Sequence, residues 1–143
     1  MKGTLLVFYL GDELFGIDIT KVKEINRNVE FNPVPEAPKY IAGLFNMRGQ
    51  IVTLFNLSEI LQHGNSLNNQ QTSCIILKTN PNNRHYVGLL IDKAKDVITI
   101  EDNWCELPPA NLGNMEGKYL KEVVKFEDEL IMIIDSEQIL LNK

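Results

Sequence analysis

Pro35-Glu-Ala-Pro-Lys-Tyr-Ile-Ala-Gly-Leu-Phe-Asn-Met-Arg-Gly49, then Gln50 and the run Ile51-Val-Thr-Leu-Phe-Asn-Leu57, is the stretch on which the reading of the fold turns. Pro33, Pro35 and Pro38 precede its core, and proline fixes φ and removes a backbone donor. The approach is therefore extended and irregular, neither helical nor central in a sheet. Gly43-Leu44-Phe45 leads into a tight corner at Asn46-Met-Arg-Gly49, because Asn bonds to nearby backbone and Gly takes positive φ at little cost. Ile51 to Leu57 reads as a strand, and Ser58 as the cap of a short helix through Leu61.

Upstream, Leu5 to Leu10 is a compact apolar run closed by the turn residues Gly11-Asp12-Glu13. Phe15, Ile17 and Ile19 alternate with Gly16 and Asp18, the period of a half-buried strand. Thr20 to Ile25 fits either a helical turn or a continued strand. Downstream, His63 to Thr72 is rich in Asn, Gln and Gly and reads as a polar connection. Ser73–Thr79, Tyr86–Asp92, Asp96–Ile100, Tyr119–Phe126 and Leu130–Ile134 read as strands. Glu127-Asp128-Glu129 reads as a hairpin turn, Ser136–Leu141 as a terminal helical turn, and Trp104-Cys105 with Pro108-Pro109 through Gly117 as a long loop. Short strands at regular spacing, without strand–helix alternation, predict barrels or a sandwich.

The chain also echoes itself. Ile19-Thr-Lys-Val-Lys-Glu-Ile25 parallels Ile91-Asp-Lys-Ala-Lys-Asp-Val97, and Leu54-Phe-Asn-Leu-Ser-Glu-Ile-Leu61 parallels Ile133-Ile-Asp-Ser-Glu-Gln-Ile-Leu140. The pairs occur in the same order, once per half, which predicts a duplicated barrel. The expected halves are residues 11–62 and 72–135 of one 143-residue unit. The N-terminal strand and residues 136–143 are expected to pack between or onto them.

Composition narrows the function. A formal charge of −5, from 14 Lys+Arg against 19 Asp+Glu, with lysines scattered beside acids, argues against nucleic acid and anionic membrane surfaces. No run approaches the ~20 apolar residues of a membrane span. The start shows no cleavage site of a secretory signal, and Cys74 and Cys105 form no disulfide framework, so a reducing cytoplasm is expected. Catalysis needs a nucleophile, base or metal beside groups that tune it. His63 and His85 read as loop histidines without ligand spacing, Cys74 as a buried apolar residue, and Cys105 lacks a cationic setting. Gly113-Asn-Met-Glu-Gly117-Lys118 is one residue short of a phosphate loop and lacks the hydroxyl after its lysine. No enzyme, no metal and no cofactor is expected.

Arg48 stands out at the corner between Asn46 and Gly49. It reads either as a solvent-exposed turn arginine or as the partner of an acid on a neighbouring strand. Glu24 is the best placed acid, and a guanidinium on a carboxylate would add geometry as well as charge.

The Pro35–Gly49 stretch continued through Leu57 is similar to the central motif of the CheW family of chemotaxis coupling proteins. Phe8 to Ile25, Gly88-Leu-Leu-Ile-Asp92 and Leu130 to Leu141 resemble the rest of that family's domain, so the likeness covers nearly the whole chain. The resemblance implies two five-stranded SH3-like β-barrels side by side, with short helical turns. It implies an adaptor joining the cytoplasmic tip of a chemoreceptor to the regulatory domain of a CheA-type histidine kinase. It implies a cytoplasmic monomer that enters larger signalling arrays through its partners and does not insert in the membrane. A coupling protein of a surface- or twitching-motility pathway is the alternative. By position, Asn46, Met47, Arg48 and Gly49 would form the corner, Arg48 would pair with Glu24, and Val22, Glu24 and Gly43 would belong to the partner surface. Ile51 and Val22 are expected to offer apolar contact there. Asn56 stands where the family usually has Asp, so an ion pair there would become a neutral hydrogen bond.

Overall fold

A computed structural model describes residues 3–62, 73–79, 85–108 and 117–142. The chain forms β1 (Gly3–Leu10), β2 (Glu13–Asp18), a 3-10 turn (Ile19–Lys21) and β3 (Val22–Asn26). Then come β4 (Ile41–Met47), β5 (Gln50–Asn56), α1 (Leu57–Leu61), β6 (Ser73–Leu77), β7 (Tyr86–Ile91) and β8 (Lys93–Ile100). A 3-10 turn (Asp102–Trp104), β9 (Cys105–Glu106), a further 3-10 turn (Gly117–Tyr119), β10 (Leu120–Phe126), β11 (Glu129–Ile134) and α2 (Ser136–Asn142) complete it. The mostly-β expectation holds. Thr20 to Ile25 resolves into both of its readings, a single turn and then a strand, because the Asp18 carboxylate accepts from Thr20 N at 2.9 Å and halts β2.

The strands make two sheets, one ordered β8-β1-β2-β11-β10-β9 and one ordered β3-β6-β7-β5-β4. Each sheet draws strands from both of the expected segments, 11–62 and 72–135. The β1–β2 hairpin of the first half joins β8 to β11 of the second, while β6–β7 of the second half joins β3 to β5 of the first. Two of these joins, β2 with β11 and β5 with β7, are parallel, and two, β1 with β8 and β3 with β6, are antiparallel. The N-terminal strand, expected to pack between or onto the halves, has a place of its own. It lies inside the first sheet, between β8 and β2.

The duplication itself is deep. β3 and β8, which carry one echoed stretch, are edge strands of their respective sheets. β4–β5 and β10–β11 are equivalent hairpins, with register shifts at Ile41/Gly43 and at Leu120/Glu122. Asn56 N donates to the Tyr40 carbonyl and Asp135 N to the Tyr119 carbonyl, each at 2.7 Å. Asn56 Oδ1 then accepts from Glu59 N at 3.4 Å to cap α1, as Asp135 Oδ1 accepts from Gln138 N at 3.2 Å in α2. The cap expected at Ser58 is therefore two residues earlier, and Ser58 is buried inside the helix. The neutral Asn56 serves as a cap, a task that an amide performs as well as a carboxylate. Cys105-Glu106, expected in a loop, pairs with Val124 and Val123 and gives the first sheet a sixth strand.

Side chains sort into three cores. Leu6, Phe8 and Leu10 of β1 face a central cluster with Ile75 and Leu77 of β6 and Leu89 and Ile91 of β7, and Ile139 of α2 seals it. Leu5 and Val7 face the other way, into the first sheet's own cluster with Val124, Ile131 and Ile133. The second sheet keeps its own cluster of Met47, Val52, Leu54, Cys74 and Ile76. A strand wetted on neither face has no use for alternation, which is why Leu5–Leu10 is apolar without a break. Each such side chain contributes roughly 1.5–3 kcal/mol on burial.

Candidate partner-binding corner

β4 and β5 close on the pair Met47–Gln50, so the turn is the two residues Arg48 and Gly49. Their φ values are 51° and 86°, the positive pair of a type I′ turn whose twist matches the strands it joins. Gly49 adopts this without strain. Arg48 does not, and a side chain held in the left-handed region needs an external reason. Asn46 Oδ1 accepts from Gly49 N at 2.8 Å and pins the turn from its own strand.

The reason lies across the sheet. Arg48 Nη2 donates to Glu24 Oε2 at 2.7 Å. Glu24 sits on β3 and Arg48 at the tip of β4, the two strands at opposite ends of the hydrogen-bonded order. Their meeting requires the sheet to curl until its edges approach. The side chains are unequally exposed, Arg48 at 67% and Glu24 at 27%. The acid is tucked in and the base presented. The Arg48 hydrogen bond holds the Glu24 carboxyl below its ordinary value, outweighing the opposing effect of partial burial, with Lys23 and the Asn26 amide adding to it. Glu24 in turn raises the Arg48 guanidinium. Between the two earlier readings of Arg48, it is both solvent-exposed and paired.

Of the other expected residues, Asn46, Gly49 and Ile51 are exposed, Ile51 at 48%, and Val22 is half-buried. Gly43 and Met47 are buried beneath this surface. A Cβ at Gly43 would stand 2.5 Å from the Asn32 carbonyl oxygen and 2.7 Å from Phe31 Cδ2. Gly43 therefore lets the proline-rich approach close onto β4 through the Asn32–Leu44 bridge. Met47 fills the second sheet's core beneath the corner. Two neighbours escaped the sequence reading. Asn26 lies beside Glu24, and Tyr86 carries Lys23 Nζ at 5.5 Å from its ring centroid. The period-2 rule, which puts residues two apart on one strand face, is the signal that would have found Asn26.

Among the described residues no group of three His, Cys, Asp or Glu side chains is placed to hold a metal ion, and no helix is long and apolar enough to cross a membrane. Cys74 is fully buried, and burial pushes its thiol up to about 12, which leaves it protonated and unreactive. Cys105 is half-buried, its Sγ 3.5 Å from the Glu101 carbonyl. His63 and residues 113–116 of the glycine-bounded stretch lie outside the described residues.

Comparison with known proteins places this fold among its relatives. Residues 4–143 match the model of the CheW-like domain. The Chemotaxis protein CheW of Treponema pallidum is 29% identical over 97% of this chain and 82% of its own length. That of Thermotoga maritima is 28% identical over 95% and 86%. The crystal structure of the scaffolding protein TtCheW from Thermoanaerobacter tengcongensis superposes with a TM-score of 0.80 at 30% identity, covering 94% of this chain and 85% of that one. A match that runs almost from end to end, over two curled sheets built by exchange between repeats, leaves one conclusion about kinship: the chain belongs to the CheW-like domain family.

Proposed function

We propose that this chain is a non-catalytic chemotaxis adaptor, joining the cytoplasmic tip of a chemoreceptor to the regulatory domain of a CheA-type histidine kinase. The observation that carries the reading is the exposed Arg48, held on strained backbone by Glu24 from the opposite sheet edge. A turn maintained in that state is a built feature, and strain concentrates where proteins engage other molecules. Relatives named chemotaxis proteins and a structural neighbour named a scaffold support it.

In this reading the kinase domain docks on Arg48, Glu24, Asn46, Gly49, Val22 and Ile51. Charge sets register there, and the apolar pair supplies contact area. Gly43 and Met47 shape that face from beneath. The receptor's helical hairpin lays its apolar face into the groove between the sheets. The protein works in the cytoplasm as a monomer and enters arrays through these two partners.

Co-purification with the native receptor and kinase tests the proposal. Arg48→Ala and Glu24→Ala are expected to lose capture while staying folded, with a melting temperature only slightly below wild type. Normal capture by both variants would remove the corner from the docking face. Capture only by the receptor and kinase of a surface-motility pathway would keep the adaptor role and change its pathway.

A further inference from the structure

We infer that Asn26 is the positioning residue of the Arg48 corner, fixing the Glu24 carboxylate in the orientation that presents Arg48 to a partner. The inference rests on the adaptor reading above. Asn26 follows Glu24 by two residues on β3 and so shares its face. With the amide turned so that its nitrogen faces the acceptors, Nδ2 donates to Glu24 Oε1 at 2.9 Å and reaches the Ile25 carbonyl at 3.3 Å. The amide oxygen then lies in packing contact with Met47 Sδ, under the hairpin. Glu24 Oε2 meanwhile accepts from Arg48 at 2.7 Å.

The carboxylate is thus gripped at both oxygens, one by each side of the corner. Held only through Oε2 it would turn about its side-chain torsions and take Arg48 with it. A half-buried amide suits this task better than a charge. Lysine at this place would compete with Arg48 for the acid, and aspartate would repel it.

The test combines titration with capture. The Glu24 carboxyl is followed by carbon-detected NMR in the isolated chain, in wild type, Asn26→Ala and Asn26→Asp. Arg48 stays charged throughout, so the titration reports the Asn26 bond. Glu24 is expected to titrate at higher pH in both variants, most in Asn26→Asp, which preserves shape and so separates the effect from packing. Capture of the kinase regulatory domain is expected to weaken by about three- to tenfold in Asn26→Ala, the range for one hydrogen bond. In a Glu24→Gln background Asn26→Ala should change capture no further. An unmoved titration overturns the inference. So does undiminished capture, or an equal loss in the Glu24→Gln background. A wild-type chain that captures no kinase overturns the adaptor reading instead, and the titration then decides for or against Asn26 alone.

Discussion

The β4–β5 and β10–β11 hairpins are two copies of one device with their charges exchanged. In the first, an acid on the edge strand, Glu24 of β3, receives a base from the hairpin, Arg48. In the second, a base on the edge strand, Lys95 of β8, reaches an acid on the hairpin, Glu129, at 3.1 Å. The first residue of each turn has positive φ, Arg48 at 51° and Glu127 at 56°. The apolar residue just beyond is exposed in both, Ile51 at 48% and Leu130 at 59%. The second corner also borders a cavity of about 410 Å3, floored by Leu14, Val123, Leu130 and Met132 and rimmed by Asp12, Glu13 and Glu129. What the copies share is a charged clasp from an edge strand to the hairpin, so that belongs to the fold. What they do not share is its polarity. Surfaces of opposite charge cannot take the same partner face in the same orientation.

The strongest way to break the equivalence is at the base of each hairpin. Gly43→Ala drives a methyl into the Asn32 carbonyl and should lower stability by roughly 1–3 kcal/mol in urea unfolding. Glu122→Ala, at the matching place opposite Ile133, already follows a side chain and should stay within about 1 kcal/mol. Equal losses would mean that the bridge to Asn32 does not brace the first corner.

Exchanging the charges of the first corner separates clasp from recognition. The double variant Glu24→Arg, Arg48→Glu imitates the polarity of the second corner. It should keep the melting temperature while losing kinase capture by at least about tenfold, the mark of a docking anchor. Retained capture would make the pair structural only. The helix caps should behave alike in the two copies. Asn56→Ala and Asp135→Ala should each cost about 0.5–2 kcal/mol, and Asn56→Asp should hold the wild-type value within a few tenths of that unit.

The smallest effect is on pH dependence, where the two clasps should fail at opposite ends. Glu24 is lowered from its ordinary 4.5, chiefly by its bond to Arg48. The unfolded chain therefore binds the proton first as pH falls, and this stabilisation, complete above pH 4.5, is lost through the folded value. Lys95 is raised from 10.5, chiefly by its bond to Glu129. Its stabilisation is complete below 10.5 and disappears as pH rises through the folded value. Arg48→Ala should flatten the acid limb of a urea-midpoint profile and Lys95→Ala the alkaline limb. Crossed results would reverse the assignment.

Much of this comparison was legible before any coordinates. The echoed stretches fall on β3 and β8 and on the β5–α1 and β11–α2 joints, because edge strands and cap residues carry their constraints locally. The exchange of hairpins was not, since nothing within β2 states that it will lie parallel to β11. The corner could be read from Asn46 and Gly49, but the positive φ of Arg48 could not. Arginine has no preference for that region, and the bond that holds it there comes from a strand 24 positions away. Ser58 looked like a cap by residue type, and Asn56 became one because its backbone N–H was already anchored to Tyr40. Nothing in the residues around Gly43 announces the close approach of Asn32.

The traded hairpins also set an order of events. β1 and β2 emerge first, yet their sheet partners β8, β10 and β11 begin only at Lys93. Until most of the chain has been synthesised, the apolar run Leu5–Leu10 has only β2 beside it and lacks both β8 and the cover of Val124, Ile131 and Ile133. Such distant pairing makes for slow closure and a long interval of exposed hydrophobic strand. A truncated product ending before Lys93 should therefore be a client for chaperones or proteases and not a half-sized domain. The duplication gave this protein two similar ends and, in the same stroke, made them inseparable.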